Sequence, residues 1–493
     1  MSNRMLDSGH HATSADVRAR LDHPVIDADG HMIEFEPDVV DVFVEVAGRD
    51  VADRYLKGVT ASRWYRWHEL TDEQRRDRRA LRPPWWGIPA QNTLDRATAT
   101  IPGLLEERLG EFGIDFAFAF PSLGATAMRP NDAEIRQAAC RAFNTYYSRL
   151  YGPHSKRMTP VGVIPMHDPQ EAVEELDYAV RTLGLKAVTM PSYVRRTIPI
   201  VEREAPQAAP WAYWLDTYGL DSDHDYDPVW AKCVELGVAP AFHSTSVWSG
   251  HASISNYAHN HIGTFATAAQ ATCKSLFFGG VTRRFPSLRF AFLEGGAAWG
   301  CTLYAALVEH WKKRNIETIE HYNPANLDRE LLLDLYRRYG GPMADKLDRL
   351  GSGELVAAAG LGVIDDPGED AGHRDEWAQC EIERAEDVRD LFVDSFYFGC
   401  EADDRSTAWA VDTAVNPFGA RLKTLFGSDI GHWDVSDMAG VVAEAWELVG
   451  DGIIGESDFR DFVFTNPVSF YAGGNPSFFD GTVIESKARA ALT

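Results

Sequence analysis

Eight short apolar runs, separated by helical patterns, constrain the fold of this chain more than any other feature. The helical patterns carry ordinary start and stop signals: Asp168-Pro169 opens one over residues 171–183, and Gly184 ends it. Strand and helix that alternate eight times predict a (β/α)8 barrel, a TIM-like fold of the α/β class. The predicted strands cover residues 25–34, 114–120, 161–165, 187–191, 238–243, 290–294, 395–398 and 424–429.

The main alternative is an open, doubly wound sheet, but no GxGxxG motif follows an early strand. The chain has 493 residues, 45% of them hydrophobic, which suits one barrel with insertions. Residues 1–20 are predicted to be a flexible tail and 21–493 a single barrel domain. We expect aromatic lid loops at about 60–90 and 195–225, and a helical insertion at about 314–388 that packs as a side domain or a dimer contact.

Composition excludes several classes of partner. The formal net charge of -25 disfavours nucleic acid and anionic membranes, because both attract clustered Lys and Arg. Six cysteines without a CxxC pair disfavour a disulfide framework and a zinc finger, and they favour a reducing cytoplasm. The N-terminal stretch has no apolar h-region, and no apolar run is long enough to span a bilayer. A cytoplasmic protein without membrane contact is therefore expected.

Polar residues stand where several predicted strands end. Asp29 and His31 close the first strand, and the fifth, sixth and eighth strands end in His243, Glu294 and Asp429. The carboxyl ends of barrel strands share one face, and active sites lie there. A lone buried His is more often a structural residue than a ligand. Five such residues at one end predict a metal site.

The number of candidate ligands leaves the number of ions open. His261 adds a third imidazole, and because His259 lies only two residues away, one of the two is expected to face inward. Three carboxylates with two or three imidazoles exceed what one ion uses while it keeps an open position, so a carboxylate-bridged pair of ions is predicted. Mixed His and carboxylate ligands suit iron or manganese, and zinc also accepts them.

The motifs at these strand ends resemble those of the amidohydrolase-related family, in the branch that includes aminocarboxymuconate-semialdehyde decarboxylase and the resorcylate-type decarboxylases. The resemblance rests on Asp-Ala-Asp-Gly-His at 27–31, Phe-His at 242–243, the run at 277–286 leading to Phe-Leu-Glu-Gly-Gly at 292–296, and Gly-Ser-Asp at 427–429 with His432. It implies an amidohydrolase-type barrel whose HxH motif falls on Asp29 and His31, with His243 and Asp429 as further ligands. Glu294 stands where decarboxylating relatives place a His that acts as acid or base, which weakens the case for simple decarboxylation.

Two functions follow from the resemblance. The motifs are similar to those of the non-haem di-iron monooxygenases of platensimycin and platencin biosynthesis. This implies two Fe ions, O2, an electron donor and a bulky, hydrophobic, terpenoid-like substrate, such as a coenzyme A thioester, in secondary metabolism. The residues expected to act are Glu294 and Asp429 in catalysis, and Trp85, Trp86, Trp248 and His432 in substrate binding.

The alternative function is a mononuclear metal-dependent hydrolase or decarboxylase with one Zn or Mn ion and Asp429 as base. A third possibility, a non-catalytic barrel that binds a partner through residues 314–388, is the least favoured, because the predicted metal ligands would then have no function. A homodimer is expected in either case.

Overall fold

Ten strands in two sheets organise the computed structural model, which describes residues 12–60, 67–84, 91–245, 252–323, 326–347, 371–432 and 435–493. The strands are β1 Ile26–Met32, β2 Phe116–Pro121, β3 Met158–Val163, β4 Ala187–Met190, β5 Val194–Thr197, β6 Tyr213–Asp216, β7 Pro240–Phe242, β8 Phe290–Phe292, β9 Phe396–Glu401 and β10 Lys423–Gly427.

Eight of these strands form one parallel sheet in the order β1-β2-β3-β4-β7-β8-β9-β10. Each falls on one of the eight predicted apolar runs, so the predicted (β/α)8 barrel is confirmed. All seven residues of β1 and all six of β2 and β3 are buried. Parallel strands covered by helices are buried on both faces, which explains why β2 and β3 are almost continuously apolar.

The barrel closes where β10 meets β1. The backbone N–H of Asp429 donates to the carbonyl of Asp29 at 2.9 Å, and the N–H of His31 donates to the carbonyl of Ile430 at 2.8 Å. Both bonds lie at the carboxyl ends of the two strands. The closure therefore places three of the predicted ligands next to one another.

The described helices begin and end with the predicted signals where the sequence offers them. Asp168 caps the helix Pro169–Asp177 by accepting hydrogen bonds from Gln170 N and Glu171 N, and Gly237 ends the helix Asp227–Leu236 in the left-handed conformation. The helices are α1 Ser14–Arg20, α2 Glu36–Ala47, α3 Arg49–Thr60, α4 Asp72–Arg78, α5 Thr93–Thr100, α6 Pro102–Arg108, α7 Ala133–Tyr151, α8 Pro169–Asp177, α9 Pro199–Glu204, α10 Asp227–Leu236, α11 Tyr257–His261, α12 Thr264–Phe278, α13 Val281–Arg284, α14 Ala298–Arg314, α15 Arg329–Tyr339, α16 Ala344–Leu347, α17 Ala371–Arg374, α18 Ala385–Val393, α19 Thr407–Val411, α20 Val441–Gly450, α21 Glu456–Arg460, α22 Asn466–Ala472 and α23 Glu485–Ala491.

Three regions differ from the minimal barrel. The segment that the sequence assigns to a flexible tail contains α1, which has a capping box at Thr13 and is held by a hydrogen bond from Ala443 N to Ser14 Oγ. The predicted loop at 195–225 contains α9 and the antiparallel β5–β6 hairpin. The insertion after α14 contains α15, α16 and α17 within its described part.

The six cysteines are all free and buried, as expected for a chain without a disulfide framework. Across the described ranges, the structure has no helix with the length and apolar character needed to cross a lipid bilayer.

Candidate metal centre

The first strand supplies two ligand candidates, Asp29 and His31, and a second carboxylate, Asp27, with another role. Pairing of β1 with β2 shifts register between Asp27 and Gly30, and this irregularity breaks the simple alternation that would place Asp27, Asp29 and His31 on one face. Asp27 instead accepts hydrogen bonds from Ser428 N at 2.9 Å and Ser428 Oγ at 2.6 Å. Burial raises the pKa of Asp27 to about 6, although both bonds from Ser428 oppose the shift. Asp27 thus fastens β1 to the segment after β10.

Six side chains converge at the carboxyl end of the barrel in two overlapping groups. The first group is Asp29, His31, His243 and Glu294, and the second is His31, Glu294, Asp429 and His432. His31 Nε2 lies 3.6 Å from Asp29 Oδ1, 3.2 Å from Glu294 Oε1 and 3.3 Å from Asp429 Oδ1. His243 Nε2 lies 3.2 Å from the same Glu294 Oε1. The five strand-end residues predicted from the sequence are therefore brought together.

The ligand atoms of the first group fit a cation. Asp29 Oδ1, Glu294 Oε1, His31 Nε2 and His243 Nε2 are buried, and none has a hydrogen-bond partner among the described residues. Ligands bonded to a common ion at about 2.1 Å lie about 3.0 to 3.4 Å from one another in octahedral or tetrahedral geometry. The separations of 3.2 to 3.6 Å approach this range. Buried polar atoms without partners are costly, and a bound ion would satisfy all four.

The two groups share atoms, so they are parts of one site. Both contain His31 Nε2 and Glu294 Oε1. An imidazole nitrogen has one lone pair and binds one ion at a time. The geometry therefore argues against a complete and separate ligand set for each of two ions.

Local backbone geometry aims the ligands at the centre. Glu294 and Asp429 each lie two residues beyond the end of a strand, β8 and β10, and have φ values of 53° and 51°. Non-glycine residues rarely adopt this left-handed region, and the strain is typical of functional sites. Gly427 permits the approach of β1, because a Cβ at this position would lie 2.8 Å from Asp29 Cβ.

Burial and neighbouring charge determine the protonation of the group. Burial lowers the pKa of His31 well below its usual value, and the neighbouring His432 lowers it further. Burial would also lower the pKa of His243, but Glu294 and Asp29 raise it to about 9. Although burial opposes ionisation of Glu294, His243 holds the pKa of this carboxyl well below its usual range. Burial raises the pKa of Asp29, and the charge of Glu294 adds to the shift.

His432, which the sequence assigns to substrate binding, lies inside the cluster. Its Nδ1 is 2.6 Å from Asp429 Oδ1 and 3.2 Å from Glu294 Oε1, and its ring stacks on His31 with centroids 3.7 Å apart. The turn after β10 brings it there, three residues after Asp429. Its side chain is 24% exposed, against 1% for His31, so it is the more accessible imidazole.

His261 is not in either group, although the ring of Phe265 contacts both His261 and the site residue His243. Phe265 contacts His243 with ring centroids 5.3 Å apart and His261 with centroids 6.0 Å apart. His261 is half-buried, whereas His259 is exposed, so His261 is the more inward of the pair. The three predicted substrate-binding tryptophans, Trp85, Trp86 and Trp248, lie outside the described residues.

One buried carboxylate near the site has a supporting role that spacing alone does not reveal. Glu34, two residues beyond β1, accepts hydrogen bonds from Leu123 N, Gly124 N and Tyr147 Oη at 2.7 to 2.9 Å. Burial raises its pKa, although the bond from Gly124 N opposes the shift. Glu34 therefore ties the loop after β1 to the loop after β2, and both loops border the mouth of the barrel.

Comparison with known proteins identifies the class to which this fold and site belong. A family model described as Amidohydrolase matches residues 26–325, more than half of the chain. An amidohydrolase from Mycobacterium avium subsp. paratuberculosis K-10 has the same fold, with a TM-score of 0.52 and 19% sequence identity over 92% of this chain and 100% of that chain. The chain belongs to the amidohydrolase family.

Two further relatives carry more specific descriptions. A 2-amino-3-carboxymuconate-6-semialdehyde decarboxylase from Dictyostelium discoideum is 24% identical over 183 residues, which are 37% of this chain and 44% of that protein. The chain thus matches less than half of the length of this curated relative. A dihydroxybenzoic acid decarboxylase from Polaromonas sp. JS666, crystallised with manganese and 2-nitroresorcinol, is 14% identical over 91% of this chain and 97% of that chain, with a TM-score of 0.48.

The prediction of a di-iron monooxygenase that hydroxylates a terpenoid-like substrate is wrong. The matching family is that of the amidohydrolases, and the curated relative is a decarboxylase rather than an oxygenase. These findings agree with the alternative prediction, a metal-dependent hydrolase or decarboxylase. The composition of the cluster supports a metal site, whereas a pair of iron ions has no support from the comparisons.

Proposed function

We propose that the chain is a mononuclear metal-dependent decarboxylase that acts on a small organic acid. The observation that carries the proposal is the set of four buried, unpartnered ligand atoms of Asp29, His31, His243 and Glu294. Two imidazoles and two carboxylates suit Zn²⁺ or Mn²⁺. The decarboxylase relative supports the choice of reaction.

A bound divalent ion would supply a Lewis acid that anchors an oxygen of the substrate. Loss of CO2 leaves an electron pair on carbon, and a proton must replace the departing carboxyl group. His432 is suited to deliver it, because its side chain is accessible and Asp429 contacts its Nδ1 at 2.6 Å. The imidazole then regains a proton from solvent, so the balance is one carboxylate and one proton consumed for one C–H bond and one CO2.

Hydrolysis is the second candidate, and a specific observation favours it. A cavity of about 800 Å³ is lined by Asp429 but by none of the other five residues of the cluster, and its lining includes Glu401, Asp403 and Glu444. A wall rich in carboxylates repels an anionic substrate and suits a neutral or cationic one. In this alternative Asp429 would accept the proton of the attacking water, and Glu294 in place of a His acid would cause no difficulty.

The two candidates give different products from one substrate panel. The protein is loaded with Zn²⁺ or Mn²⁺ and incubated in D2O with unsaturated and aromatic carboxylic acids, and separately with esters and amides. Decarboxylation predicts release of CO2 and one deuterium at the carbon that lost it. Release of alcohol or amine without CO2 would refute the first candidate and support the second. Equal turnover after removal of the metal would refute both.

A further inference from the structure

Helix α15, in the insertion after α14, carries an exposed apolar stripe. Large apolar residues recur at every fourth position of the helix: Leu331, Leu335 and Tyr339. Each is between 41% and 79% exposed, and no residue of α15 is buried. Residues four apart lie on the same side of a helix. An exposed apolar patch of this kind marks an interaction surface more often than chance exposure does.

The opposite side of α15 faces its own chain. Leu333 and Tyr336 are half-buried, and the helix packs on α16 and on the short turn at Gly341–Met343. The stripe therefore points away from the elements that hold the helix.

Charges beside the stripe are ordered along the helix. Glu330 and Asp334 follow Arg329 in its first half, and Arg337 and Arg338 lie in its last turn, where Arg338 also pairs with Asp334 of the same helix at 2.5 Å. This order suits the helix dipole, but the dipole does not explain the exposed leucines between the charges. In an antiparallel pair of identical helices, the acidic half of each helix lies beside the basic half of the other. The surface is thus complementary to itself.

We propose that α15 is a homodimer contact, in which it packs antiparallel against α15 of a second copy of this chain. A two-fold axis near Leu335 would place Leu331 against the partner subunit's Tyr339, and Glu330 beside the partner subunit's Arg338. Self-complementarity of one patch is the defining property of a two-fold interface. The dimer does not depend on the proposed reaction, because its contacts lie on the insertion rather than on the barrel strands.

The first test is the mass of the full chain in solution, measured by light scattering and by sedimentation over a range of concentrations. We expect a dimer for the unchanged protein and at least a 100-fold weaker dimer for Leu335→Asp. Val415→Asp is the matched control, because Val415 is 66% exposed on a segment outside the insertion. This control should remain as dimeric as the unchanged protein. Leu335→Ser provides a milder variant in case the aspartate prevents folding.

A charge exchange tests the antiparallel arrangement. Glu330→Arg alone and Arg338→Glu alone should each weaken the dimer at least tenfold, and the double variant should restore it. A monomeric unchanged protein would overturn the proposal. So would a dimer that none of these variants weakens, or single-variant effects that the double variant does not reverse. If the unchanged protein is monomeric and Leu335→Ser lowers the melting temperature, the stripe is covered by another part of the same chain.

Discussion

Gly427→Ala tests whether the contact between β10 and β1 controls the metal centre. The new methyl group would lie 2.8 Å from Asp29 Cβ. Carbon atoms in contact are normally about 3.5 to 4.0 Å apart, so one strand must move by roughly 0.7 to 1 Å. The neighbouring atom is rigid, because Asp29 Cβ is attached directly to a buried strand. Overpacking of this kind costs about 1 to 3 kcal/mol of unfolding free energy.

The same displacement should weaken metal binding. Asp29 Oδ1 now lies 3.6 Å from both His31 Nε2 and His243 Nε2, and metal ligands tolerate errors of only about 0.2 Å. We expect the affinity for Zn²⁺ or Mn²⁺ to fall by about 10- to 100-fold, the range seen when support for a ligand is lost.

The assay is a competition titration against a chelator, together with urea unfolding in excess metal and in excess chelator. Gly58→Ala is the matched control, because Gly58 lies in α3 and a Cβ there meets nothing within 4 Å. This helix substitution should stabilise the protein by about 0.5 to 1 kcal/mol and leave metal affinity unchanged. If Gly427→Ala has the same metal affinity and stability as Gly58→Ala, the proposed coupling between β10 and the metal centre is refuted.

Four further variants test the site and the pH dependence of stability. Glu294→Gln removes the charge that faces His31 and His243, and metal content measured after dialysis should drop sharply; full retention would exclude Glu294 as a ligand. His432→Asn should reduce kcat by about 10²- to 10⁴-fold and leave the metal content unchanged. The control His261→Asn should change kcat and metal content by less than about twofold. Loss of metal in His432→Asn would instead identify His432 as a ligand. Burial, with nearby Arg136 and Arg196, lowers the pKa of His167 to about 3. Its neutral form is therefore favoured by folding, and stability is present above pH 6.5 and lost as pH falls from about 6.5 towards 3, by at most about 4 to 5 kcal/mol. His167→Gln should flatten the dependence of unfolding free energy on pH in this window, and an unchanged slope would contradict the shift.

Much of the barrel and most of the site could be predicted because both depend on strand ends. A parallel strand covered by helices has a continuous apolar run, and its carboxyl end is fixed by where the run stops. Asp29, His243, Glu294 and Asp429 are polar groups at or near such ends, so the spacing of the strands was enough to bring them together. The insertion after α14 follows no barrel repeat, and its helix bounds came only from the structure.

The roles of individual polar residues were harder to predict, because they depend on local backbone geometry. Asp27 contacts Ser428 because the register between β1 and β2 shifts between Asp27 and Gly30. The simple alternation of side chains along a strand does not show that shift. His432 enters the cluster because the turn after Asp429, whose φ is 51°, returns it to the site. The run Gly-Ser-Asp at 427–429, followed by Gly431, indicates such a turn, but it does not specify the position of the His432 side chain.

Electrostatics and exposure give the two parts of the cluster different roles: the buried group around Glu294 and the Asp429–His432 pair. Asp29 and Glu294 both face His31 and His243 at 3.2 to 3.6 Å, and His31 is held neutral by burial. Ionisation of Asp29 would leave two buried carboxylates against one charged imidazole, and burial together with the charge of Glu294 opposes this ionisation by raising the pKa of Asp29. A divalent cation offsets the cost of this ionisation on the buried side. Among the six described residues of the cluster, His432 has the most exposed side chain, at 24% against 12% for His243 and 5% or less for the others. Proton exchange with solvent is therefore favoured at His432, and ligation and proton transfer can use different residues of one compact site.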